Sequence, residues 1–382
     1  MIAFDQYARE NVHLSIANLS LDVIIPVHNV ERPIRRSVLS VISAKNPRIR
    51  ALVIAHNIPR ESILRKLKDL DLERLQVIEH RDGVFSPAGP KNAGIDASSA
   101  TYIAFLDSDD EYEIGALDAF CNELQSASSP DLLIGQLRGT SQGRIMAPLP
   151  RVRRFENLDP VKDLLNNRTA PIGVMIRREV LKSTGAPRFS EGYPIGEDIE
   201  LGLYLWNQTR SISYSRYASG YLVHEDGTDR VTGRTLSVES ALAPVARIVQ
   251  MDWFKELSPQ QKTAACAKLI KFQVLRLCHR LESVGPIGPL DREAARNVLW
   301  LLLRMSPNAL GLLTPHEARA ARVLGSTENN ELGTIFRTSK ISSFLDKFLT
   351  HRVTHIFNPA GGLRVAIRLI FVPATLKRFR QP

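Results

Sequence analysis

The run Asp107-Ser108-Asp109-Asp110 places three carboxylates within four residues, directly after the apolar segment 102–106. That segment has the length and composition of a buried strand, so the carboxylates stand at its C-terminal end. Ligands of open α/β sheets bind at such ends. Neighbouring carboxylates repel one another, and a Mg²⁺ or Mn²⁺ ion relieves that repulsion while leaving positions open for phosphate oxygens. The pattern therefore predicts a cation-assisted phosphate site, with a solvated acidic turn as the alternative.

Strands and helices are predicted to alternate from residue 21 onward, which is the pattern of parallel βαβ units in an α/β fold. Hydrophobic runs predict strands at 21–25, 50–55, 76–79, 102–106, 131–135 and 172–176. Periodic apolar residues predict helices at 34–42, 60–70 and 113–127, and a further helix that opens at Glu197-Asp198. Acidic residues suit the start of a helix because of its dipole, so capping alone would also explain that pair.

The predicted secondary structure changes near residue 236, where helical patterns replace the alternation of strands and helices. Segment 140–154 is predicted to be a loop or hairpin, and 211–217 and 220–224 close the first domain. Helices are predicted at 238–254, 260–282 and 291–304, with another that starts at 314. The predicted organisation is a lead-in (1–20), an α/β domain (21–235), an all-helical domain (236–335) and a basic tail (336–382).

The composition is that of an ordinary globular protein, with 44% hydrophobic and 24% charged residues in 382. Three scattered cysteines are too few for a disulfide framework and favour a reducing compartment. The N-terminus shows no secretory pattern, and no apolar run approaches the roughly 20 residues that span a bilayer. The sequence therefore predicts a cytoplasmic protein.

The net charge of +10 is concentrated in the tail, where residues 337–382 hold nine Lys or Arg against one acid. No nucleic-acid-binding motif accompanies this charge, so no nucleic-acid partner is expected. Segment 363–372 is amphipathic as a helix: residues 363, 366, 367, 370 and 371 share an apolar face, and Arg364 and Arg368 lie together. Being too short to span a membrane, it predicts either peripheral contact with the anionic inner face or docking on the helical domain or a second subunit.

Four segments together resemble the inverting family 2 glycosyltransferases. They read IIPVHN at 24–29, PKNAG at 90–94, FLDSDD at 105–110 and GED at 196–198. Their order and spacing fit that family over roughly residues 20–227. The resemblance implies the GT-A fold, a Rossmann-like, mixed and mostly parallel sheet flanked by helices. It also implies hexosyl or N-acetylhexosaminyl transfer from a nucleotide-diphosphate sugar to a hydroxyl group of a glycan, polysaccharide or wall-polymer acceptor.

The resemblance also implies roles for individual residues. Donor-nucleotide contacts fall on Pro26, Val27, Asn29, Lys91, Asn92, Asp107 and Ser108, with Lys91 and Asn92 in a loop ahead of the acidic strand. The Mg²⁺ or Mn²⁺ ion would be held by Asp107 and Asp109, with His224 completing the site. Asp198 takes the position of the general base and Glu197 that of its positioning partner, so that direct displacement inverts the anomeric centre. Arg230 and Arg234 would contact the diphosphate from a closing loop.

One departure from the family pattern concerns the donor base. Where the family usually places an acidic pair after the second strand, this chain has Ala55-His56-Asn57. A UDP-sugar is favoured, with His56 or Asn57 supplying the missing hydrogen bonds, and a different nucleotide is the alternative.

Two other functions compete with glycosyl transfer. A nucleotidyltransferase also uses a Rossmann-like sheet and paired carboxylates, but it should carry a glycine-rich phosphate loop, and residues 28–33 contain no glycine. A catalytically inactive nucleotide- or glycan-binding module of the same fold is the second alternative. The missing acid at Ala55 favours that module, whereas the intact pairs 107/109 and 197/198 argue against it.

Overall fold

The computed structural model describes residues 19–125, 129–140, 149–168, 170–224, 226, 236–326, 332–338, 367, 368, 370–372 and 376. Its strands are β1 (Leu21–Val27), β2 (Ile49–His56), β3 (Leu75–His80), β4 (Tyr102–Phe105), β5 (Glu111–Tyr112), β6 (Leu132–Ile134), β7 (Gln136–Gly139), β8 (Val174–Arg177), β9 (Ile212–Tyr214) and β10 (Gly220–Val223). The helices of the same region are α1 (Ile34–Ile42), α2 (Arg60–Lys66), α3 (Ala88–Ala97), α4 (Ala116–Leu124), α5 (Arg178–Lys182) and α6 (Ile199–Gln208).

The main sheet has the strand order β3-β2-β1-β4-β8-β6-β9, and within it only β8 runs antiparallel to its neighbours. The central strand β1 pairs in parallel with β2 and β4, so that Val23 stands between Ala51 and Ala104. These strands are buried on both faces, which explains why they read as nearly continuous apolar runs. The predicted GT-A fold class, a mixed and mostly parallel sheet flanked by helices, is confirmed.

A second, three-stranded sheet lies beside the acidic run, with the order β5-β10-β7. β10 pairs antiparallel with β5 and parallel with β7. The sequence analysis did not predict β5 or β7, because strands of two to four residues are too short to show periodicity. This small sheet carries Tyr221 and leads directly into His224.

The helical region contains α7 (Val238–Ile248), α8 (Asp252–Lys255), α9 (Pro259–Leu269), α10 (Arg276–Val284), α11 (Pro289–Met305), α12 (Pro315–Gly325) and α13 (Leu332–Thr338). A π-helical turn at Ile270–Leu275 joins α9 to α10, so the helix predicted over 260–282 is one rod with a wider turn inside it. Ile199 and Leu203 of α6 belong to the same buried cluster as the helical region. The two regions therefore share a core. No helix among the described residues is long and apolar enough to cross a membrane.

The prediction of a loop around Lys91 and Asn92 is wrong, because both residues lie in helix α3. Glycine and proline at 89, 90 and 94 disfavour a helix in isolation. Tertiary packing overrides that propensity: a Cβ at Gly94 would lie 2.4 Å from a methyl group of Ile24. The missing side chain lets α3 pack closely on β1.

Where it is described, the tail does not dock on the helical domain, which was one of its predicted positions. Ile367, Ile370 and Phe371 of the predicted docking face are exposed at 41%, 67% and 54%, whereas Arg368 is buried. Arg368 Nη2 donates to the carbonyl oxygen of Lys162 at 2.6 Å. Val372 belongs to the buried cluster on one face of the main sheet. The described part of the tail therefore packs on the α/β region rather than on the helical region, and it presents the predicted apolar face to solvent. Residues 363–366 lie outside the described residues.

Candidate active site

A cavity of about 520 Å³ lies beside the C-terminal ends of β1, β2 and β4, which is within the usual size of a ligand site. It brings together most of the predicted site residues, namely Pro26, Val27, His56, Lys91, Asp107, Ser108, Asp109, Glu197 and Asp198. The predicted residues Asn29, Asn57, Asn92 and His224 do not line this cavity. The residues of this set that lie at or just after the ends of β1, β2 and β4 meet because parallel strands end at one edge of the sheet. Lys91 reaches the cavity from helix α3, and Glu197 and Asp198 reach it from the start of α6.

Asp109 is buried and paired with a guanidinium group. Arg32 Nη1 lies 2.9 Å from its Oδ1 atom and donates a longer hydrogen bond of 3.4 Å to Ser108 Oγ. Arg36, in the first turn of α1, donates to the Asp109 carbonyl oxygen and forms an ion pair with Asp226. Arg32, from the turn before α1, therefore neutralises Asp109, and Arg36 holds the backbone of the acidic run.

Asp110 is the buried anchor of the acidic run. The hydroxyl of Tyr221 donates to its Oδ2 atom at 2.7 Å, and the backbone N–H of His224 donates to its Oδ1 atom at 2.8 Å. Burial and the charge of Asp107 raise the pKa of Asp110 to about 7, against the opposing effect of these hydrogen bonds. Asp110 thus ties the second sheet to the end of β4.

The predicted cation site fits the structure in its donor chemistry but not in its third ligand. Asp107 and Asp109 both line the cavity and offer the oxygen atoms that Mg²⁺ and Mn²⁺ prefer. The His224 Nε2 atom instead lies 2.9 Å from Glu111 Oε1. Within the described part of the chain, no group of three His, Cys, Asp or Glu residues is placed to hold an ion. Cation binding by Asp107 and Asp109 stays a prediction.

His56, at the end of β2, contacts a carboxylate that the sequence analysis did not predict. His56 Nε2 lies 2.8 Å from Oδ1 of Asp82, which comes from the loop after β3. Asn57 holds the same loop, because its Oδ1 atom accepts from the backbone N–H groups of Asp82 and Gly83. Burial opposes the charge of Asp82, but hydrogen bonds from His56, Val84 and Asn57 outweigh it and lower its pKa to about 2. Asp82 therefore provides an acidic group next to His56, although the two residues are far apart in sequence.

Two aromatic side chains line the cavity next to these polar groups. His28 follows β1, and its ring meets the Phe85 ring edge-to-face with centroids 5.3 Å apart. Asn29, which was predicted to contact the donor, uses its Oδ1 atom to accept from the N–H of Glu31 at 2.9 Å. His28 and Phe85 thus offer ring surfaces at this end of the cavity, and Asn29 shapes the turn.

Helix α3 connects the donor end of the cavity to the acidic pair before α6. The Lys91 ammonium is buried and lies 3.2 Å from Glu197 Oε1. Burial alone would lower the pKa of Lys91, but the charges of Glu197, Asp107 and Asp198 raise it. Asn92 was predicted to hold the loop that contains it, but it instead holds the segment before Asp198. Its amide exchanges hydrogen bonds with the backbone of Phe189, at 3.0 and 3.1 Å.

Asp198 lines the cavity at the N-terminus of α6, and its side chain makes no capping hydrogen bond. The turn before it uses Gly196 at a φ of +77°, where a Cβ would also lie 3.3 Å from Pro244 of α7. Burial and the neighbouring charge of Glu197 raise the pKa of Asp198 to about 7, while Lys91 and Lys268 act in the opposite direction. A carboxylate with a pKa near neutrality suits a general base, and simple capping does not explain this residue.

Several lining residues were missed by sequence reasoning. Arg32, His28 and Phe85 lie within nine residues after a predicted strand, so the rule that sites form at strand ends would have included them. Ala241 and Gln273 come from the helical region and carry no sequence signal of that kind. Arg230 and Arg234 lie outside the described residues.

Comparison with known proteins finds a family match within the α/β region. Residues 22–185 match the family model described as Glycosyl transferase family 2, and no curated protein sequence matches the chain. The structure of Staphylococcus aureus TarS residues 1–349 in complex with UDP-GlcNAc is similar, with a TM-score of 0.68 and 14% identity over 85% of this chain and 92% of that one.

Two further TarS structures give the same picture. The UDP complex of TarS 1–349 has a TM-score of 0.65 and 15% identity over 85% of this chain and 93% of that one. A longer TarS structure has a TM-score of 0.65 and 14% identity over 84% of this chain and 55% of that one. The shared length exceeds what residues 21–235 alone provide, so it includes much of the helical region. At this identity the likeness establishes the fold. The family match covers residues 22–185, less than half of the chain, and the likeness to TarS shows that this region has the GT-A fold.

Proposed function

We propose that the chain transfers a hexosyl or N-acetylhexosaminyl group from a nucleotide-diphosphate sugar to a hydroxyl group of a glycan, polysaccharide or wall-polymer acceptor, with inversion at the anomeric carbon. One observation carries the proposal. A single cavity joins the strand-end carboxylates Asp107 and Asp109 to Asp198, whose pKa of about 7 is suited to proton transfer.

The nucleotide is proposed to bind where β1 and β2 end. His28 and Phe85 offer ring surfaces there, and His56 is oriented by Asp82. The Asp82 carboxylate accepts a hydrogen bond from the His56 Nε2–H group in the proposed tautomer, in which Nδ1 is the unprotonated ring nitrogen and can accept from the donor base. The UDP and UDP-GlcNAc complexes of TarS favour a uridine donor.

Asp107 and Asp109 are proposed to hold a Mg²⁺ or Mn²⁺ ion. When bound, such an ion supplies positive charge to the diphosphate leaving group. Arg32 lines the same cavity, with its Nη1 atom 2.9 Å from Asp109 Oδ1. Its guanidinium would offer a charge-assisted hydrogen bond to a phosphate oxygen of the donor.

Asp198 is proposed to take the proton from the acceptor hydroxyl as that oxygen attacks the anomeric carbon. The ion pair of Lys91 with Glu197 fixes the neighbouring carboxylate, so the two acids have separate roles. Gly196 and Ile199, with Ala241 and Gln273 of the helical region, form this end of the cavity. The acceptor therefore approaches between the α/β and helical regions, on the side away from the nucleotide.

The products distinguish this function from its alternatives. We expect incubation with UDP-glucose or UDP-N-acetylglucosamine and Mn²⁺ to release UDP slowly by donor hydrolysis, and Asp109→Ala to abolish that release. A nucleotidyltransferase would instead release pyrophosphate from a nucleoside triphosphate. An inactive binding module would show thermal stabilisation by UDP without turnover. Absence of both UDP release and stabilisation by any nucleoside diphosphate would overturn the proposal.

A further inference from the structure

Lys268 is a lysine buried in the helical region. It lies on α9 and is 2% exposed, within the continuously buried stretch 265–270. Among the described residues, its ammonium group has no hydrogen-bond partner. A buried, unpartnered charge is costly and is rarely found unless nearby charge compensates it. Its position therefore requires an explanation.

The helical rod that carries Lys268 also contributes a residue to the cavity. Gln273, five residues further along the same helical rod, lies in the π-helical turn and lines the cavity together with Glu197 and Asp198. Such turns occur often at functional sites. Ile199, the residue after Asp198, belongs to the same buried cluster as Leu269, the residue after Lys268. The residues that follow Asp198 and Lys268 therefore belong to one buried core.

Two of the three acids at the start of α6 are paired with cations. Glu197 is neutralised by Lys91 at 3.2 Å. Glu200, on the first turn of α6, is paired with Arg247 of α7. Asp198 has no such ion pair among the described residues, and the buried cations whose charges act on it are Lys91, which is already paired with Glu197, and Lys268.

We propose that Lys268 is a positioning residue for glycosyl transfer: its buried ammonium, supplied by the helical region, is the counter-charge that keeps the Asp198 carboxylate ionised for the acceptor hydroxyl. This inference rests on the proposed role of Asp198 as general base. Lys268 does not line the cavity, so it acts through Asp198 rather than on the substrate.

The electrostatics of both groups agree with this geometry. Burial lowers the pKa of Lys268 to about 8, and the charge of Asp198 works against that decrease. Burial and Glu197 raise the pKa of Asp198, and Lys91 and Lys268 lower it. Removing the Lys268 charge should therefore raise the Asp198 pKa further and leave less ionised base at neutral pH.

The test is the pH dependence of donor turnover in Lys268→Met, Lys268→Arg and wild type. Lys262→Met is the matched control, because Lys262 lies on the same helix but is not buried. We expect the acidic limb of kcat to move up by about one pH unit in Lys268→Met, as for loss of one nearby opposite charge. In Lys268→Arg and Lys262→Met it should stay near the wild-type position.

An unshifted acidic limb in a folded Lys268→Met variant overturns the inference. If that variant does not fold, Lys268→Gln replaces it under the same criterion. A second readout is the ¹³C titration of the Asp198 carboxyl group, which needs no turnover and should show the same upward shift. Turnover that survives in Asp198→Asn would overturn the general base itself, so the two failures are distinguishable.

Discussion

The two regions of this molecule contribute to one cavity in different ways. The α/β region places Asp107, Asp109 and His56 at or just after strand ends, where the backbone of a parallel sheet brings them to one edge. The helical region contributes Ala241 and Gln273 to the wall and a buried lysine behind it. In the α/β region, site residues follow the general rule that ligands bind at the carboxyl ends of parallel strands. In the helical region, the position of each residue depends on packing against α6.

This difference distinguishes residues that are proposed to contact the substrate from residues that set the environment of a catalytic group. The strand-end residues carry the groups that are proposed to contact donor and cation, whereas the helical side sets the environment of Asp198. Substitutions at strand ends should therefore abolish steps of the reaction, and substitutions on the helical side should tune them. The predictions below test that division, from the largest expected effect to the smallest.

Asp109→Ala should reduce turnover by about 10³-fold or more, because a cation ligand contributes several kcal/mol of charge stabilisation. Mn²⁺-dependent donor binding should disappear with it in isothermal titration calorimetry. Asp71→Ala, in the exposed turn before β3, is the control. Near-normal turnover of folded Asp109→Ala in Mn²⁺ would remove Asp109 from the cation site.

Asp198→Asn keeps the size of the side chain but cannot accept the proton, so kcat should fall by about 10²-fold or more. The dissociation constant of UDP should stay close to that of wild type. Asp252→Asn, at the surface of the helical region, serves as the control. An equal loss of UDP affinity would place Asp198 in the nucleotide site instead.

Gly220→Ala tests backbone contact in the α/β region. A Cβ at Gly220 would lie 2.0 Å from the carbonyl oxygen of Gln136, and backbone cannot move aside as a side chain can. We expect a loss of about 3 kcal/mol in the free energy of unfolding, measured by urea denaturation. Gly285→Ala in the helical region, where no atom lies within 4 Å, should be nearly neutral. Equal losses at the two sites would show that the steric contact is not the cause.

Asp82→Asn tests the group behind His56. The carboxylate has its pKa lowered from 3.8 to about 2, so its stabilising effect is present above pH 3.8 and is lost as the pH falls through 2. The variant should lack this acid-induced loss, which amounts to about 1–2 kcal/mol after allowance for solvent screening. Its UDP affinity should fall by roughly tenfold, because one hydrogen bond to a charged group is removed. Unchanged affinity would separate Asp82 from nucleotide binding.

Val372→Ala and Ile370→Ala compare the buried and exposed faces of the tail helix. Val372 is fully buried against the α/β region, so its truncation should cost about 1 kcal/mol in unfolding free energy. Ile370→Ala should leave stability unchanged and, if the tail contacts anionic membranes as proposed, reduce sedimentation with anionic vesicles. Equal stability losses would mean that both faces pack on protein.

The sequence alone predicted the strand-end part of the site. Hydrophobic runs located β1, β2 and β4, and the groups that follow them meet because parallel strands share a direction. The family resemblance added Asp198 and Glu197, which no periodicity argument assigns. For Asp107 and Asp109 the order of residues along the chain was sufficient, since their strand and their position at its end are local properties.

Only the tertiary structure decided the contacts between segments that are distant along the chain. Asp82 is hydrogen-bonded to His56, Asn92 holds the segment at Phe189, and the charge of Lys268 acts on Asp198 because separate elements pack together. Helix α3 forms despite its glycines and proline because it packs on β1. The sequence by itself determined which groups stand at the ends of its strands. Packing determined their partners, because burial and long-range charge depend on where other segments come to lie.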